Sequence, residues 1–278
     1  MLEREIVIYT KYILFFITNL NMKNSIYFLS LIISFNLFSQ EKILDTLQGT
    51  KQNLDEVIVE SIRVKYSAPF SHSNISKTEL SLKNLGQDLP ILLNFLPSVV
   101  TTSDAGAGIG YTGIRIRGVS AQSTNITING IPFNDTESLG TYWVNLPDFT
   151  SSIESLQVQR GVGTSTNGSG AFGASINILT DAVSEDAYAE ISNSVGSYDT
   201  YKNTVKFSSG KLNNAFELSG RLSKIDSDGY IDRAFSDLKS YFLQGSYLKG
   251  STFIKALAFG GHEKTYQSWN GVSKDQIL

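Results

Sequence analysis

Two arginines on one short β-prone stretch are the first residues whose chemistry and spacing suggest a role. Arg115 and Arg117 stand at alternate positions of GIRIRG (113–118), so a strand would present both guanidinium groups on one face and isoleucines on the other. The following stretch TNITING (124–130) alternates isoleucine with Thr and Asn in the same way. We therefore expect two short strands with a shared apolar side and a polar side that meets water, nucleic acid or a polar partner surface.

Few residues of the chain could support catalysis or metal binding. Cysteine is absent from the 278 residues, and the only histidines are His72 and His262. These counts exclude disulfides, cysteine nucleophiles and cysteine zinc sites, and leave little for a histidine-based metal site or catalytic triad. The Asp and Glu residues show no repeated pair at a catalytic spacing. We expect a protein that is not an enzyme and needs no metal or cofactor.

Two glycine runs, GIGYTG (108–113) and GSGAFG (168–173), have the GxGxxG spelling of dinucleotide sites. In such a site the glycines lie between a strand and a helix, whereas here each run precedes a β-prone segment. The formal net charge of −3 provides no basic field for nucleic acid. Neither nucleotide nor nucleic-acid binding is therefore expected.

The first part of the chain has the pattern of an export signal. Met22 and Lys23 precede the apolar run 26–38, which ends at a small residue before a polar segment. The run is shorter than the roughly 20 apolar residues of a membrane-spanning helix. We expect residues 1–40 to be a signal region whose true start is Met22. The alternative is a signal anchor with two short helices.

Residues 41–61 lack a clear period and are predicted to be a flexible leader. Within the leader, LDEVIVES (54–61) alternates Val57 and Val59 between acidic flanks. This pattern suits a first strand, and it equally suits an extended peptide that adds to the sheet edge of another protein. The residues alone leave both alternatives open.

Residues 62–180 have the pattern of one compact α+β unit. Leucines at spacings of three and four predict helical turns within 78–97, and Pro97 ends that segment. Short β-prone and glycine-rich segments then alternate, with strands predicted at 98–102, within 113–135, at 153–160 and at 174–180, and loops at 104–111, 132–143 and 161–173.

From residue 187 to residue 278 the segments become longer. Stretches of about 8–10 residues have one apolar face, one polar face and aromatic residues near their ends, and their linkers alternate in length. The pattern is typical of lipid-facing strands around a polar lumen, and a soluble β-sandwich has the same period. About five such strands cannot close a barrel, so a barrel interpretation implies a fragment of a longer protein.

Several of these stretches, taken in order, resemble the TonB-dependent outer-membrane receptors. LPILLNFLPSVV (89–100) resembles the opening of their plug domain, GIRIRGVSAQSTNITINGIPFND (113–135) the plug's core hairpin, and the segment 144–180, VNLPDF to ASINILT, its closing part. LDEVIVES resembles the TonB box, which the resemblance assigns to Asp55, Glu56, Val57, Ile58, Val59 and Glu60.

The resemblance implies an α+β plug domain (62–180) followed by the start of an antiparallel transmembrane β-barrel (187–278), which has 22 strands in a complete family member. Asn129 stands where the family more often has Asp, a change that leaves the assignment intact. We expect Arg115 and Arg117 to meet the barrel wall or neighbouring plug carboxylates. The plug core and gating positions implied by the resemblance are Arg115, Arg117, Gly118, Asn129, Gly130, Arg160 and Gly161.

The resemblance also implies a function, which is uptake of a scarce ligand such as an iron–siderophore chelate across the outer membrane of a Gram-negative bacterium. TonB would pair with the box as an added strand and transmit energy, and outer-membrane lipid would surround the barrel. Ligand-facing residues are expected on the loops 103–111 and 134–143, namely Tyr111, Asp135, Tyr142 and Trp143.

The alternative function belongs to another class. A non-transporting β-rich surface adhesion or glycan-capture protein would share the β pattern, as would a receptor that imports oligosaccharides or peptides with a lipoprotein partner. A transporter needs residues 55–60 free and extended, whereas an adhesion module has no use for such a segment.

Overall fold

The structure, a computed structural model, describes residues 63–64, 69–162, 171–266 and 272–277. All of them fall within one compact unit, Gln52–Leu278. The predicted signal region, the leader with its box, and residues 163–170 lie outside the described residues. Within the described ranges, no helix has both the length and the apolar character needed to cross a membrane.

The first part of the fold, which we call the α+β unit, combines short helices with two small sheets. Strand order in the larger sheet is β1-β6-β7-β4-β5, in which β4 and β7 are parallel and the other neighbours antiparallel; β2 and β3 form a separate antiparallel pair. The elements are β1 (His72–Ser76), α1 (Lys77–Lys83), α2 (Leu89–Leu92), β2 (Val99–Ser103), β3 (Thr112–Ile116), β4 (Thr124–Ile128), β5 (Ile131–Pro132), β6 (Ile153–Arg160) and β7 (Ala174–Thr180).

Local chemistry explains where the helices begin and end. Ser76 caps α1, because its side chain accepts from the backbone N–H of Glu79 while the Glu79 carboxylate accepts from the backbone N–H of Ser76. Helix α2 carries Pro90 in its first turn, where no backbone donor is lost. Gly86 lies between the two helices at φ +127°, a backbone conformation that ends regular helix. The predicted helical segment 78–97 is therefore two short helices.

The core of the α+β unit lies on one face of the larger sheet. The alternating isoleucines and leucines of β4, β6 and β7 point to this face, and the leucines of α1 and α2 cover it. The members with an exposed fraction of 5% or less include Leu80, Leu89, Leu93, Ile114, Ile116, Ile126, Ile128, Ile153, Leu156, Val158, Ile176 and Ile178.

The two strands of GIRIRGVSAQSTNITING do not form a hairpin with each other, so this prediction is wrong. Strand β3 pairs with β2, and β4 pairs with β7 and β5 in the other sheet. Arg117 and Gly118 both adopt left-handed backbone conformations, and a 3-10 helix, Ala121–Ser123, then carries the chain to the larger sheet. Alternation defines the two faces of each strand but leaves its neighbours undetermined.

The second part of the fold, which we call the meander, is a five-stranded antiparallel sheet in sequential order. Its strands contain 10 to 14 residues; β8 and β9, with 10 residues each, have the predicted length, and the other three are longer. They are β8 (Ala187–Gly196), β9 (Thr200–Ser209), β10 (Phe216–Ser227), β11 (Ser236–Lys249) and β12 (Thr252–Thr265), and a short helix, α3 (Lys274–Ile277), follows.

The burial of the meander strands is the reverse of a soluble sheet. In β9 the exposed positions include Tyr201 and Val205, while Lys202, Thr204 and Lys206 are buried. Strand β10 repeats the pattern, with Leu218 and Leu222 more than half exposed. Apart from the buried Ile225, Leu238 and Phe242, the large apolar side chains of β9 to β11 mostly face outward, and the polar ones at alternate positions face the α+β unit, as predicted for strands with a lipid-facing side.

Candidate functional site

Asp148 of the α+β unit sits at the centre of the contact with the meander. Its side chain has an exposed fraction of 0%. Lys202 of β9 and Arg221 of β10 supply positive charge, and their side chains are only 3% and 2% exposed. We call this set, together with Thr204 and Ser223 of the same two strands, the Asp148 anchor.

Both carboxylate oxygens of Asp148 accept hydrogen bonds. Oδ1 lies 2.8 Å from Nζ of Lys202 and accepts from Oγ of Ser151 at 2.6 Å. Oδ2 accepts from the hydroxyls of Thr204 at 2.8 Å and Ser223 at 2.7 Å. The Arg221 guanidinium is 3.6 Å from Oδ2, which is an ion-pair distance and too long for a hydrogen bond. The carboxylate is thus held by two strands of the meander at once.

The electrostatics of the anchor follow from this geometry. Burial acts to raise the pKa of Asp148, but the nearby charges of Arg221 and Lys202 and the hydrogen bonds to the ionised form bring it down to about 2. Asp148 is therefore a buried carboxylate that stays ionised throughout the physiological range. Such a pair is costly to break, because the remaining partner is left as an uncompensated buried charge.

The backbone next to Asp148 strengthens the contact. The carbonyl of Pro147 accepts from Oγ of Ser240 in β11 at 2.8 Å and from Nη2 of Arg221 at 3.4 Å. Asp148 itself adopts φ +50°, a left-handed conformation that Asp tolerates better than most residues. This turn points the Pro147 carbonyl and the Asp148 carboxylate toward the same three strands.

A second carboxylate, Asp181, bridges the two parts of the fold. Its oxygens contact Lys77 of α1 at 2.9 Å and Lys206 of β9 at 2.7 Å. The Asp181 carbonyl also accepts from Gln244 of β11 at 2.9 Å and Lys255 of β12 at 3.0 Å. Asp181 ends the α+β unit immediately after β7, so the segment leading into the meander is fixed at both its side chain and its backbone.

Between these two carboxylates the contact is open and polar. A cavity of about 310 Å³ separates α1 from β8 and β9, and its lining includes Lys77, Asn84, Glu190, Lys202 and Lys206. This part of the contact is therefore accessible to water and lined largely by polar and charged side chains.

An apolar contact completes the interface on its other side. The Phe149 ring packs edge-on against Phe242 of β11 and Phe259 of β12, with centroids 5.8 and 5.3 Å apart. Phe133 approaches Phe259 at 6.0 Å. Residues 148 and 149 thus place adjacent ionic and aromatic contacts on the meander.

The structure brings two of the predicted Arg-Gly pairs together. A Cβ on Gly161 would lie against Nη1 of Arg117, so the guanidinium occupies space that only glycine leaves open. Arg160 donates to the hydroxyls of Ser71 at 3.1 Å and Ser73 at 2.8 Å. Partial burial lowers the pKa of Arg160, and the charge of Arg117 lowers it further.

The side chains of Arg115 and Arg117 are exposed, and neither forms an ion pair with the residues that the structure describes. The five strands of the meander therefore do not supply the partner that we expected for them. Arg117 at φ +55° and Gly118 at φ +74° form a tight turn, and for a non-glycine residue this conformation costs about 1–2 kcal/mol.

Asn129 and Gly130 have a structural role at the edge of the larger sheet. Their φ angles, +51° and +83°, and the pairing of Ile128 with Ile131 describe a two-residue hairpin turn, for which Asn-Gly is a favoured pair. The Asn129 side chain binds Thr180 twice, accepting from its backbone N–H at 3.0 Å and donating to its hydroxyl at 2.9 Å. This fixes the turn to the end of β7, beside the meander.

The residues predicted to face a ligand have different environments. Tyr142 is 52% exposed, and the exposed Asp135 uses its carboxylate to accept from the backbone N–H groups of residues 137 and 138. Tyr111 is half-buried. Trp143 is 4% exposed and belongs to the core, so its prediction as a ligand-facing residue is wrong. A large aromatic ring gains more from burial in the core than from a loop surface.

The loop 103–111 instead meets a pair of tyrosines from the meander. The carbonyl of Ala105 accepts from the backbone N–H of Tyr230 at 2.8 Å, and the Tyr230 ring packs against Gly106. Tyr198 lies edge-on to Tyr230 with centroids 5.5 Å apart, and both rings are substantially exposed. An exposed aromatic surface thus adjoins the loop, at the end of the meander where the longest linker lies.

Sequence reasoning did not single out Asp148 or this tyrosine pair. The signal for Asp148 was the acidic residue after proline in the otherwise apolar stretch NLPDF (145–149). Lys202 and Arg221, at inward positions of alternating strands, indicated that a carboxylate should face them. Among the described residues, no group of three or more His, Cys, Asp or Glu side chains is placed to hold a metal ion.

Comparison with known proteins identifies the family of this arrangement. Residues 64–175 match the model of the TonB-dependent receptor plug domain. The vitamin B12 transporter BtuB of Vibrio vulnificus is 31% identical over 204 residues, which is 72% of this chain and 32% of the relative. A probable TonB-dependent siderophore receptor, PirA of Acinetobacter baumannii, is 26% identical over 76% of this chain and 27% of its own length.

The structural comparison agrees on the fold. The crystal structure of the siderophore receptor PirA from Acinetobacter baumannii matches with a TM-score of 0.56 at 20% identity, over 71% of this chain and 32% of the solved one. The chain spans about a third of the length of the curated relatives that it matches.

Proposed function

Since the chain belongs to the TonB-dependent receptors through its plug domain, we propose that it acts in ligand-gated uptake across the outer membrane of a Gram-negative bacterium. In this proposal the α+β unit is the plug, and the meander is the first part of a transmembrane barrel that has 22 strands when complete. The chain is exported with a cleaved signal peptide and needs no cofactor of its own.

One observation carries the proposal. In β9 to β11 of the meander most large apolar side chains face outward, while Lys202, Lys206 and Arg221 face the α+β unit, where Asp148 and Asp181 receive them. Buried lysines and arginine on one face and exposed leucines on the other suit strands between lipid and a filled lumen. A surface adhesion module or a soluble sandwich has no reason to carry this inverted burial together with a plug domain.

The ligand that we propose is a scarce metal chelate such as an iron–siderophore complex. One relative is named a siderophore receptor, another, from Escherichia coli, a ferrienterobactin receptor and a third a vitamin B12 transporter, so the ligand class of this chain is our inference. The ligand would bind the loop 103–111, the loop around Asp135 and Tyr142, and the exposed rings of Tyr198 and Tyr230. Aromatic rings and backbone groups suit a bulky, partly apolar chelate.

The energy would come through TonB. Residues 55–60 would become available on the periplasmic side after ligand binding and pair with TonB as an added strand, and the pull would remodel the plug. The open polar cavity beside α1 and the partly exposed pair of Lys77 with Asp181 suit such remodelling, because opening them exposes little apolar area, whereas the buried Asp148 anchor resists it.

The test replaces one residue of the proposed box. Val57→Pro removes a backbone donor from an added strand and should abolish energised uptake while leaving ligand binding intact. Uptake and binding of ferric enterobactin and of cyanocobalamin by whole cells would be measured, with Val57→Ala as the matched control that keeps the backbone donor. Undiminished energised uptake by the Val57→Pro receptor would contradict the proposal.

A further inference from the structure

Asp88, immediately before α2, lies at the base of the loop 103–111. Its backbone N–H donates to the carbonyl of Gly108 at 2.9 Å, and its carboxylate oxygen Oδ2 accepts from the hydroxyl of Thr112 at 2.8 Å. The backbone N–H of Gly110 also donates to this carboxylate. One residue thus joins the start of α2 to the loop and to the first residue of β3.

The other carboxylate oxygen of Asp88 has no donor. Asp88 is 4% exposed, and its Oδ1 is buried without a hydrogen-bond partner among the described residues. The same is true of Oε2 of Glu263 in β12, a residue that pairs with the buried Leu238 and therefore faces the α+β unit. Buried oxygens without a donor are uncommon in native proteins, and each requires an explanation.

No cation compensates these two carboxyl groups. None of the ion pairs within the described part of the chain includes Asp88 or Glu263. Glu263 of β12 is the titratable group that acts on Asp88, while the loop and β3 contribute the neutral donors Gly110 and Thr112. Burial, and then the like charge of Glu263, raise the pKa of Asp88 well above its ordinary value.

Apolar side chains surround this end of the contact. Ile109 of the loop is 2% exposed and packs with Ile225 of β10 and Leu238 of β11, each 1% exposed. Leu238 lies directly opposite Glu263 in the β11–β12 ladder. Two ionised carboxylates beside such a cluster would repel each other with little screening by water or salt.

We propose that Asp88 carries a proton while the loop 103–111 is docked on the meander, and that it donates this proton in a hydrogen bond to Glu263. A proton on Oδ1 turns an acceptor without a donor into a donor, and Oε2 of Glu263 is an acceptor that lacks one. When Asp88 loses the proton, the two like charges repel, and the contact between the loop and β12 weakens.

The direction of the pH dependence follows from linkage. Because the folded-state pKa of Asp88 is raised, its contribution to docking is present at acid pH and is lost as the pH rises through that pKa. The loop should therefore be docked at acid pH and mobile at alkaline pH. Only the consequence for ligand binding rests on the proposed function, in which this loop contacts the ligand and its affinity would then fall as the loop is released.

The test follows the mobility of the loop as the pH changes. Because the 278 residues contain no cysteine, Ala107→Cys gives the loop one thiol for a nitroxide spin label. The electron paramagnetic resonance spectrum of the assembled receptor in lipid bilayers is recorded without ligand from about pH 5 to about pH 10. Since one pKa unit is a tenfold change in an equilibrium constant, the ratio of mobile to immobile label should rise about tenfold or more.

Substitutions assign the effect to the two acids. Asp88→Asn keeps a neutral side chain that can donate to Glu263, so the loop should stay immobile over the whole range. Glu263→Gln removes the like charge and can donate to an ionised Asp88, so it should abolish most of the change. Asp104→Asn is the matched control, because it removes an exposed carboxylate of the same loop and should keep the pH response. A label on Thr136→Cys, in the loop 134–143, should not respond to pH.

A spectrum of the label at residue 107 that does not change with pH would overturn the proposal. An equal pH response with and without Asp88→Asn would overturn it as well. If Asp88→Asn lowers the unfolding temperature of the plug, Glu263→Gln decides the question, and an unchanged response in that receptor is the contrary result. The measurement involves neither uptake nor TonB, so a failure of the Val57→Pro test and a failure of this one are distinguishable.

Discussion

At the scale of single residues, charged groups as well as apolar packing fix the position of the plug against the meander. Asp148 and its partners Lys202 and Arg221 are all nearly inaccessible, and each would be costly to bury alone. An apolar contact of the same size could slide along the meander without a large penalty. A carboxylate between two fixed cations has one low-energy position, so the Asp148 anchor fixes the position of the plug along the meander. The cost is the desolvation of the three charged groups.

Asp148→Asn should destabilise the plug by about 3–5 kcal/mol, because it leaves two buried cations without their counter-charge. The measurement is the free energy of unfolding of the plug in the assembled receptor. Asp135→Asn is the matched control, since Asp135 is exposed and should change stability by less than about 0.5 kcal/mol. A loss as small as that of the control would show that the anchor contributes little.

The contributions of Asp148 and Asp88 to the stability of the plug should change with pH in opposite directions. Asp148 has a pKa lowered to about 2, so its contribution is fully present above its unfolded value of about 3.9 and is lost as the pH falls through 2. Burial raises the pKa of Asp88 well above its ordinary value, with nearby Glu263 adding to the rise. The contribution of Asp88 to stability is present at acid pH and is lost as the pH rises through the pKa of Asp88 in the folded protein.

Unfolding of the Asp88→Asn and Asp148→Asn receptors from pH 2 to 7 checks this assignment. Asp88→Asn should stabilise the plug at neutral pH and lose its effect near pH 3, because a neutral amide replaces a desolvated carboxylate. Asp148→Asn should destabilise at neutral pH and approach the parent at pH 2. If the two substitutions changed stability with the same dependence on pH, the predicted opposite effects of Asp88 and Asp148 would be contradicted.

At the scale of secondary structure, the two faces of a meander strand carry different kinds of side chain. The outward residues of β10 include Leu218 and Leu222, and the inward ones include Glu217, Ser219 and Arg221. The same alternation would serve a soluble sheet with its faces exchanged. The lysines and arginine on the inward face distinguish the two arrangements, because Lys202, Lys206 and Arg221 find carboxylates and carbonyls of the plug on that side.

Leu222→Arg should oppose membrane assembly by about 2–4 kcal/mol, since it places a charge near the middle of an outward apolar face. The measurement is folding into lipid bilayers followed by the denaturant midpoint. Leu222→Met tests the change of shape without charge and should cost less than about 1.5 kcal/mol. Equal effects of the two substitutions would argue against a lipid-facing β10.

At the scale of the whole molecule, two kinds of contact, one apolar and one polar, join the plug to the meander. Phe149, Phe242 and Phe259 contribute apolar burial. Asp148, Asp181 and the polar side chains that line the cavity beside α1 contribute ion pairs and hydrogen bonds. The apolar contact favours a seated plug. The polar contact beside α1 can exchange its partners for water without exposing a large apolar surface, whereas the buried Asp148 anchor is costly to break.

Asp148→Asn should make the outer membrane more permeable to large antibiotics than Arg117→Ala does. Asp148 connects the plug to two meander strands, whereas Arg117 is exposed and has no ion pair among the described residues. Sensitivity to vancomycin of cells that produce each receptor measures the leak. Greater sensitivity with Arg117→Ala would place the main retaining contact at the Arg-Gly pairs instead.

The sequence by itself determined many of the features that depend on near neighbours along the chain, although β1 was not predicted. Alternation located β6 at 153–160 and β7 at 174–180 and separated the two faces of each meander strand, because side-chain direction in a strand has a period of two. The same rule determined that the isoleucines of β3 and β4 are buried.

Only the tertiary structure decided which segments meet. It paired β3 with β2 and β4 with β7, buried Trp143, and brought Arg117 against Gly161 and Asp148 between Lys202 and Arg221. These contacts join residues from nine to more than fifty positions apart, and periodicity carries no information on partners at that range. Long-range pairing is chosen by the best joint satisfaction of apolar area, hydrogen bonds and charge across the whole fold.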